Sequence, residues 1–160
     1  MDKVLVTTLL TMAAVVAAVM VVNTMLPALG RSTSAVLSSS SAASERLKTD
    51  TEIIHVATNT SGSPKIVYTW VKNVGGAEIT AIDSSDLFFK TATTFDRLSY
   101  DASPSCSSPC WSYSIEGGDT IWRPGATLKV TINLTTLDTG DYLVRFVTHN
   151  AVSAEKEFTV

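Results

Sequence analysis

What this chain has least of is charge. Of its 160 residues, 17% are charged, against roughly 25% in an ordinary soluble domain. No charged side chain occurs between Lys3 and Arg31. A charge-free stretch of that length excludes a plain cytosolic enzyme. Cysteine and histidine are almost as scarce, at two each. A zinc site would need two ligands besides the cysteine pair, and His55 and His149 lie far apart in sequence, so no metal ligands are nominated. There is no Gly-x-Ser-x-Gly elbow, no phosphate-cradling glycine loop and no His-Glu-x-x-His helix. The sequence therefore offers no catalytic residues, no cofactor and no small-molecule substrate. Beyond residue 50 the balance is 8 Lys+Arg against 12 Asp+Glu, a net of −4, which is the wrong sign for a nucleic-acid partner.

What is present begins with the apolar stretch Val4 to Leu29. As a helix rising 1.5 Å per residue it would reach about 39 Å, more than the ~30 Å hydrocarbon core of a bilayer. Being apolar on every face, it must be covered all round, by lipid or by protein. Three readings follow. A removed signal peptide fits poorly, because the leader is only Asp2 and Lys3 and the apolar run is too long. A membrane anchor is the simplest. The third is a helix that starts in the membrane and later packs among copies of itself. Ala13, Ala14, Ala17 and Ala18 give the small-xxx-small spacing that lets helices approach closely. Leu5, Leu9, Met12, Val16, Val19, Met20 and Asn23 supply knobs at three- and four-residue steps, so Leu5, Leu9, Met12, Ala13, Val16, Ala17, Val19, Met20 and Asn23 are the candidate packing residues. Pro27 is expected to kink or end this helix near Leu26.

Residues 30–44, Gly-Arg-Ser-Thr-Ser-Ala-Val-Leu-Ser-Ser-Ser-Ser-Ala-Ala-Ser, hold too little apolar surface for a core. They read either as a flexible linker or as the softened middle of a helix ending near Thr49. From there the period changes. Short runs rich in β-branched and aromatic residues follow at 52–58, 65–72, 78–82, 86–91, 94–100, 111–115, 127–134, 141–148 and 154–160, separated by turn signals. Alternation is cleanest at Leu128, Val130, Ile132 and Leu134. Eight or nine such strands predict an antiparallel sandwich. The fold class expected is α+β: a long N-terminal hydrophobic helix followed by an all-β antiparallel, immunoglobulin-like sandwich, with domains at 1–49 and 50–160.

Cys106-Ser-Ser-Pro-Cys110 reads as a structural disulfide closing a short loop in an oxidising compartment, with redox or metal chemistry as the remote alternative. His55 and His149 read as structural. Asp83 and Asp86 share a loop, but two carboxylates fall short of the six or more oxygens calcium takes. Asn59-Thr-Ser61 and Asn133-Leu-Thr135 match the N-glycosylation pattern, so Asn59 and Asn133 are candidate acceptors; the first is expected in an exposed loop, the second at a strand end.

The layout as a whole resembles the archaellin-like branch of the type IV pilin superfamily. Val67-Tyr-Thr-Trp-Val-Lys-Asn-Val-Gly75 is similar to that family's strand ending in Val-Lys-Asn-x-Gly. Trp122-Arg-Pro-Gly-Ala-Thr-Leu-Lys-Val-Thr-Ile132 is similar to its Trp-x-Pro-Gly segment, and Gly140-Asp-Tyr-Leu-Val-Arg-Phe-Val-Thr-His-Asn150 to its late Gly-x-Tyr strand. Two departures are informative. Type IV pilins carry a glutamate at position five of the mature helix, where this chain has Leu5, which favours the archaellum side. The family's basic leader with its cleavage glycine is also missing, so either the numbering starts after processing or the chain is not processed in the usual way. The resemblance implies a subunit of an extracellular motility filament, membrane-inserted before assembly, with copies of itself and archaellum motor and platform proteins as partners. Its runner-up is a stator-like or minor pilin-like protein whose β domain binds the envelope or the filament. A third possibility is an anchored binding module exposing Trp111, Tyr113 and Trp122, although residues of that kind more often fill a sandwich core.

Overall fold

The computed structural model describes residues 2–103, 106 and 109–160. Met1, Pro104, Ser105, Ser107 and Ser108 lie outside the described residues. The chain forms two compact units that divide between Ala43 and Ser44.

Helix α1 spans Asp2–Lys48 without interruption and carries Pro27 inside it. At 1.5 Å per residue its 47 residues run about 70 Å. The expected break near Leu26 does not occur. Proline removes one i→i−4 bond, here the one to Asn23, and the turns on either side hold the helix through the gap. Nor do residues 30–44 form a linker. Their hydroxyls bond back to carbonyls three residues earlier: Ser34 to Arg31 at 3.0 Å, Ser38 to Ala35 at 2.9 Å and Ser41 to Ser38 at 3.0 Å. Side chains that satisfy themselves locally do not compete for the helix's own N–H groups.

Eight strands follow among the described residues: β1 (Thr51–Asn59), β2 (Lys65–Asn73), β3 (Asp86–Lys90), β4 (Phe95–Tyr100), β5 (Cys110–Ile115), β6 (Thr127–Leu134), β7 (Asp141–Val147) and β8 (Ser153–Thr159). Their order is β1-β2-β6-β5-β4-β3-β7-β8. β1-β2-β6-β5 forms one layer and β4-β3-β7-β8 the other. Every pairing is antiparallel except β4–β5, a two-residue parallel step that aligns Ser99 and Tyr100 with Cys110 and Trp111. The stretch 78–82, expected as a strand, is not one. Ile79 makes an isolated bridge to Trp122, Ala81 takes a left-handed conformation (φ 51°), and Ile82–Ser84 closes a 3-10 turn.

The layers meet through aromatics. Trp111 on β5 meets Phe146 on β7 edge-on, centroids 5.8 Å apart at 89°, and Trp122 meets the same ring at 6.0 Å and 74°. Such contacts add about 0.5–1.5 kcal/mol each to what burial alone provides. Val67, Val71, Leu128, Val130, Ile132 and Val144 fill the space between. Burial pushes the Tyr113 phenol above the ordinary tyrosine range, with the neighbouring Tyr100 and Asp83 acting in the same direction.

Candidate functional site: the apolar helix and its seat in the sandwich

From Val4 to Leu26 every large apolar side chain is more than half exposed. Leu9, Met12, Ala13, Val16, Ala17 and Met20 line one shallow groove along the helix, where the two alanines form the floor and the longer side chains the walls. Thr7, Thr11 and Thr24 bond their hydroxyls back to helix carbonyls, so these three are satisfied internally. A backbone in lipid needs this, since no water is there to serve it.

The other end of the helix is held firmly. Its last turn, Ser44–Lys48, packs with the sandwich. The Lys48 carbonyl accepts from the backbone N–H of Gly76 (2.8 Å) and Ala77 (3.2 Å), so a carbonyl normally orphaned at a helix C-terminus is bonded twice. The Asp50 carbonyl accepts from Val74 and Gly75, both at 3.0 Å. Thr49 is buried, its hydroxyl donating to Glu45 and accepting from the Asn150 amide at 2.7 Å. Arg46 reaches the Ala151 carbonyl at 3.4 Å. Beneath the seat, the fully buried Asn73 donates to the carbonyls of Ala77 (2.9 Å) and Trp122 (3.2 Å) and accepts from the Gly75 N–H (3.1 Å).

The outer face of the β1-β2-β6-β5 layer carries a second surface. His55 and Trp70 lie 5.2 Å apart, Tyr68 and Trp70 6.1 Å apart, and the Lys129 ammonium sits 4.6 Å above the Tyr68 ring. Trp70 donates its indole N–H to Glu116 at 3.0 Å. At one end of this face, the Cys106–Cys110 disulfide lies over Asn133.

A family model described as archaeal-type flagellin matches residues 3–158. The chain belongs to the archaeal-type flagellin family. A relative 33% identical over 164 residues, matching 98% of both chains, is an uncharacterised protein of Archaeoglobus fulgidus. Among solved structures, the archaellum periplasmic stator protein FlaG from Sulfolobus acidocaldarius is similar with a TM-score of 0.58 at 23% identity, over 69% of this chain and 99% of that one. The archaeal flagellin FlaB1 from Methanocaldococcus jannaschii is similar with a TM-score of 0.51 at 14% identity, over 70% and 90%. At those identities the two structures speak for the fold. Family and neighbours alike are structural archaellum proteins, not enzymes.

In this flagellin-family chain the structure brings together only some of the residues nominated from sequence. Leu9, Met12, Ala13, Val16, Ala17 and Met20 share the groove, while Leu5, Val19 and Asn23 are exposed on the same helix but do not line it. Trp111 (1% exposed) and Trp122 (fully buried) belong to the core, so an exposed patch built on them does not form. The aromatic surface that does form, His55, Tyr68 and Trp70, was not singled out from sequence, although Tyr68 and Trp70 occupy alternate positions on one strand. His55, expected as a structural histidine, is an exposed member of it. Asp86 is engaged by Arg97 at 2.7 Å rather than held with Asp83 around a cation. Asn59 is exposed and Asn133 is buried. The seat was missed as well: Asn73-Val-Gly-Gly76 signalled a turn, and nothing in it said what the turn would hold.

Proposed function

We propose that this chain is the structural subunit of an archaellum-like helical filament for motility, in which helix α1 exchanges membrane lipid for the helices of neighbouring copies. The observation that carries the reading is the exposed apolar helix: its large side chains from Val4 to Leu26 are all more than half exposed, and one groove on it is lined by alanines that allow close approach. In lipid, helix association is driven by packing rather than by the hydrophobic effect. Once the assembly leaves the membrane, apolar area buried at about 25 cal/mol per Å² keeps it from coming apart. Copies related by one repeated, non-closing contact make a fibre. The sandwich would form the outer shell.

The outer aromatic surface favours a second reading, a membrane-anchored stator-like protein at low copy whose β domain contacts the envelope or a filament. Electron microscopy of sheared cell-surface material, with mass spectrometry of its dominant band, separates the two. A filament subunit is the abundant protein of thin uniform fibres; a stator stays in the membrane fraction. Ala17→Arg places a charge in the groove and is expected to abolish filaments while the β domain stays folded. Fibres of normal abundance assembled from the Ala17→Arg chain would overturn the filament reading.

A further inference from the structure

The two glycosylation sequons are equivalent as patterns and opposite as structures. Asn133 on β6 is 2% exposed, and its side-chain Nδ2 faces the disulfide, 3.4 Å from the Cys106 sulfur and 3.9 Å from that of Cys110. Cys110 lies directly across the ladder from Asn133 on β5 and is itself 2% exposed. Leu134, the middle residue of the triplet, is buried too. Asn59 ends β1 at the tip of the β1–β2 hairpin, and Asn59, Thr60 and Ser61 are all exposed. There the Ser61 N–H donates to Oδ1 of Asn59 at 3.1 Å, a bond that engages the oxygen and not the amide nitrogen.

N-linked modification acts on that nitrogen. An Nδ2–H bond breaks, its proton passes to a base of the transferase, Nδ2 bonds to C1 of the sugar, and phosphate leaves from a phosphate-activated oligosaccharide donor. At Asn133, Nδ2 faces the sulfurs that a sugar ring would have to displace. At Asn59 the whole triplet is exposed. We propose that the Cys106–Cys110 disulfide withholds Asn133 from N-glycosylation, so that Asn59 is the acceptor of this chain. The inference rests on the exported placement of the β domain in the proposed function. It also gives the disulfide a task beyond stabilisation: it decides which of two identical signals can be read.

The test is site-resolved glycopeptide mass spectrometry of the full chain purified from a host that glycosylates exported proteins. Wild type is expected to carry glycan on Asn59 and none on Asn133. Cys106→Ser with Cys110→Ser is expected to gain glycan at Asn133. Asn59→Gln, a change at an exposed hairpin tip that leaves the core untouched, is expected to lose all glycan with no transfer to Asn133. Glycan on Asn133 in wild type or in Asn59→Gln with the disulfide intact overturns the proposal, whatever becomes of the double serine variant. Absence of glycan from both asparagines overturns it too; free thiols in the same sample then place the fault with the exported reading, and an intact disulfide with the assignment of Asn59.

Discussion

Gly75 carries no special backbone angle; what it cannot have is a side chain. A Cβ there would run into the Lys48 carbonyl oxygen and the Asp50 backbone nitrogen, both main-chain atoms that cannot swing aside. Gly76, its neighbour, has open space in the same direction. Gly75→Ala must therefore push the helix's last turn off its seat, straining the bonds from Gly75 and Val74 to Asp50 and from Gly76 to Lys48. Overpacking of this kind costs about 1–3 kcal/mol, and rigid backbone on the receiving side puts Gly75→Ala at the upper end. Gly76→Ala keeps the N–H that bonds Lys48 and should change stability by about 0.5 kcal/mol or less. Denaturant unfolding of the two variants, followed by tryptophan fluorescence, measures the difference. Equal midpoints would mean that the seat yields freely and is no joint at all.

At the scale of elements, β1 and β8 are the two ends of the strand order, and each could template another chain. Lys156 closes the seam between them. It alternates with Ala154 and Phe158, on the half-covered side of β8, and its ammonium donates to the carbonyls of Ile53 (3.3 Å) and Ile54 (2.9 Å), where the β1 register shifts. Lys156→Met preserves the stem and removes both bonds, at a cost of about 1 kcal/mol for a partly exposed site. Hydrogen exchange in β1 should quicken while β2, bonded on both sides, stays protected; unchanged exchange in β1 would remove Lys156 from the seam. This scale also shows what the sequence made legible. In β6, Leu128, Val130, Ile132 and Leu134 alternate in the chain and are buried in the fold. Asn133 breaks the pattern because a disulfide loop covers it from outside, a contact 23 and 27 residues away that no local period can display. Pro27 was read as kinking or ending the helix, and the serines as either a linker or the softened middle of a helix ending near Thr49; the second reading of the serines holds, since α1 runs to Lys48. Glu78-Ile-Thr-Ala-Ile82 had the composition of a strand, and the left-handed Ala81 ended it.

For the whole molecule, the boundary that matters is not where the composition changes. Apolar helix gives way to β pattern near residue 50, and the sequence reading divided the chain there, yet the units part between Ala43 and Ser44. The last helical turn belongs with the sandwich because its partners, Gly76, Ala77, Asn150 and Ala151, lie about thirty to a hundred residues downstream, where sequence patterning cannot reveal them. A fragment cut before Ser44 keeps the seat filled, and a fragment cut before Glu52 empties it. The shorter fragment loses the two bonds to Lys48, the two to Asp50 and the Asn150–Thr49 bond, some of which water replaces. At about 0.5–1.5 kcal/mol net for each bond not replaced, the deficit is about 2–3 kcal/mol. In a domain of this size that lowers Tm by about 10 °C. Thermal unfolding of residues 44–160 against 52–160, both monomeric in water without detergent, measures it. Coincident melting curves would make the last turn a passenger that adds nothing to the stability of the sandwich.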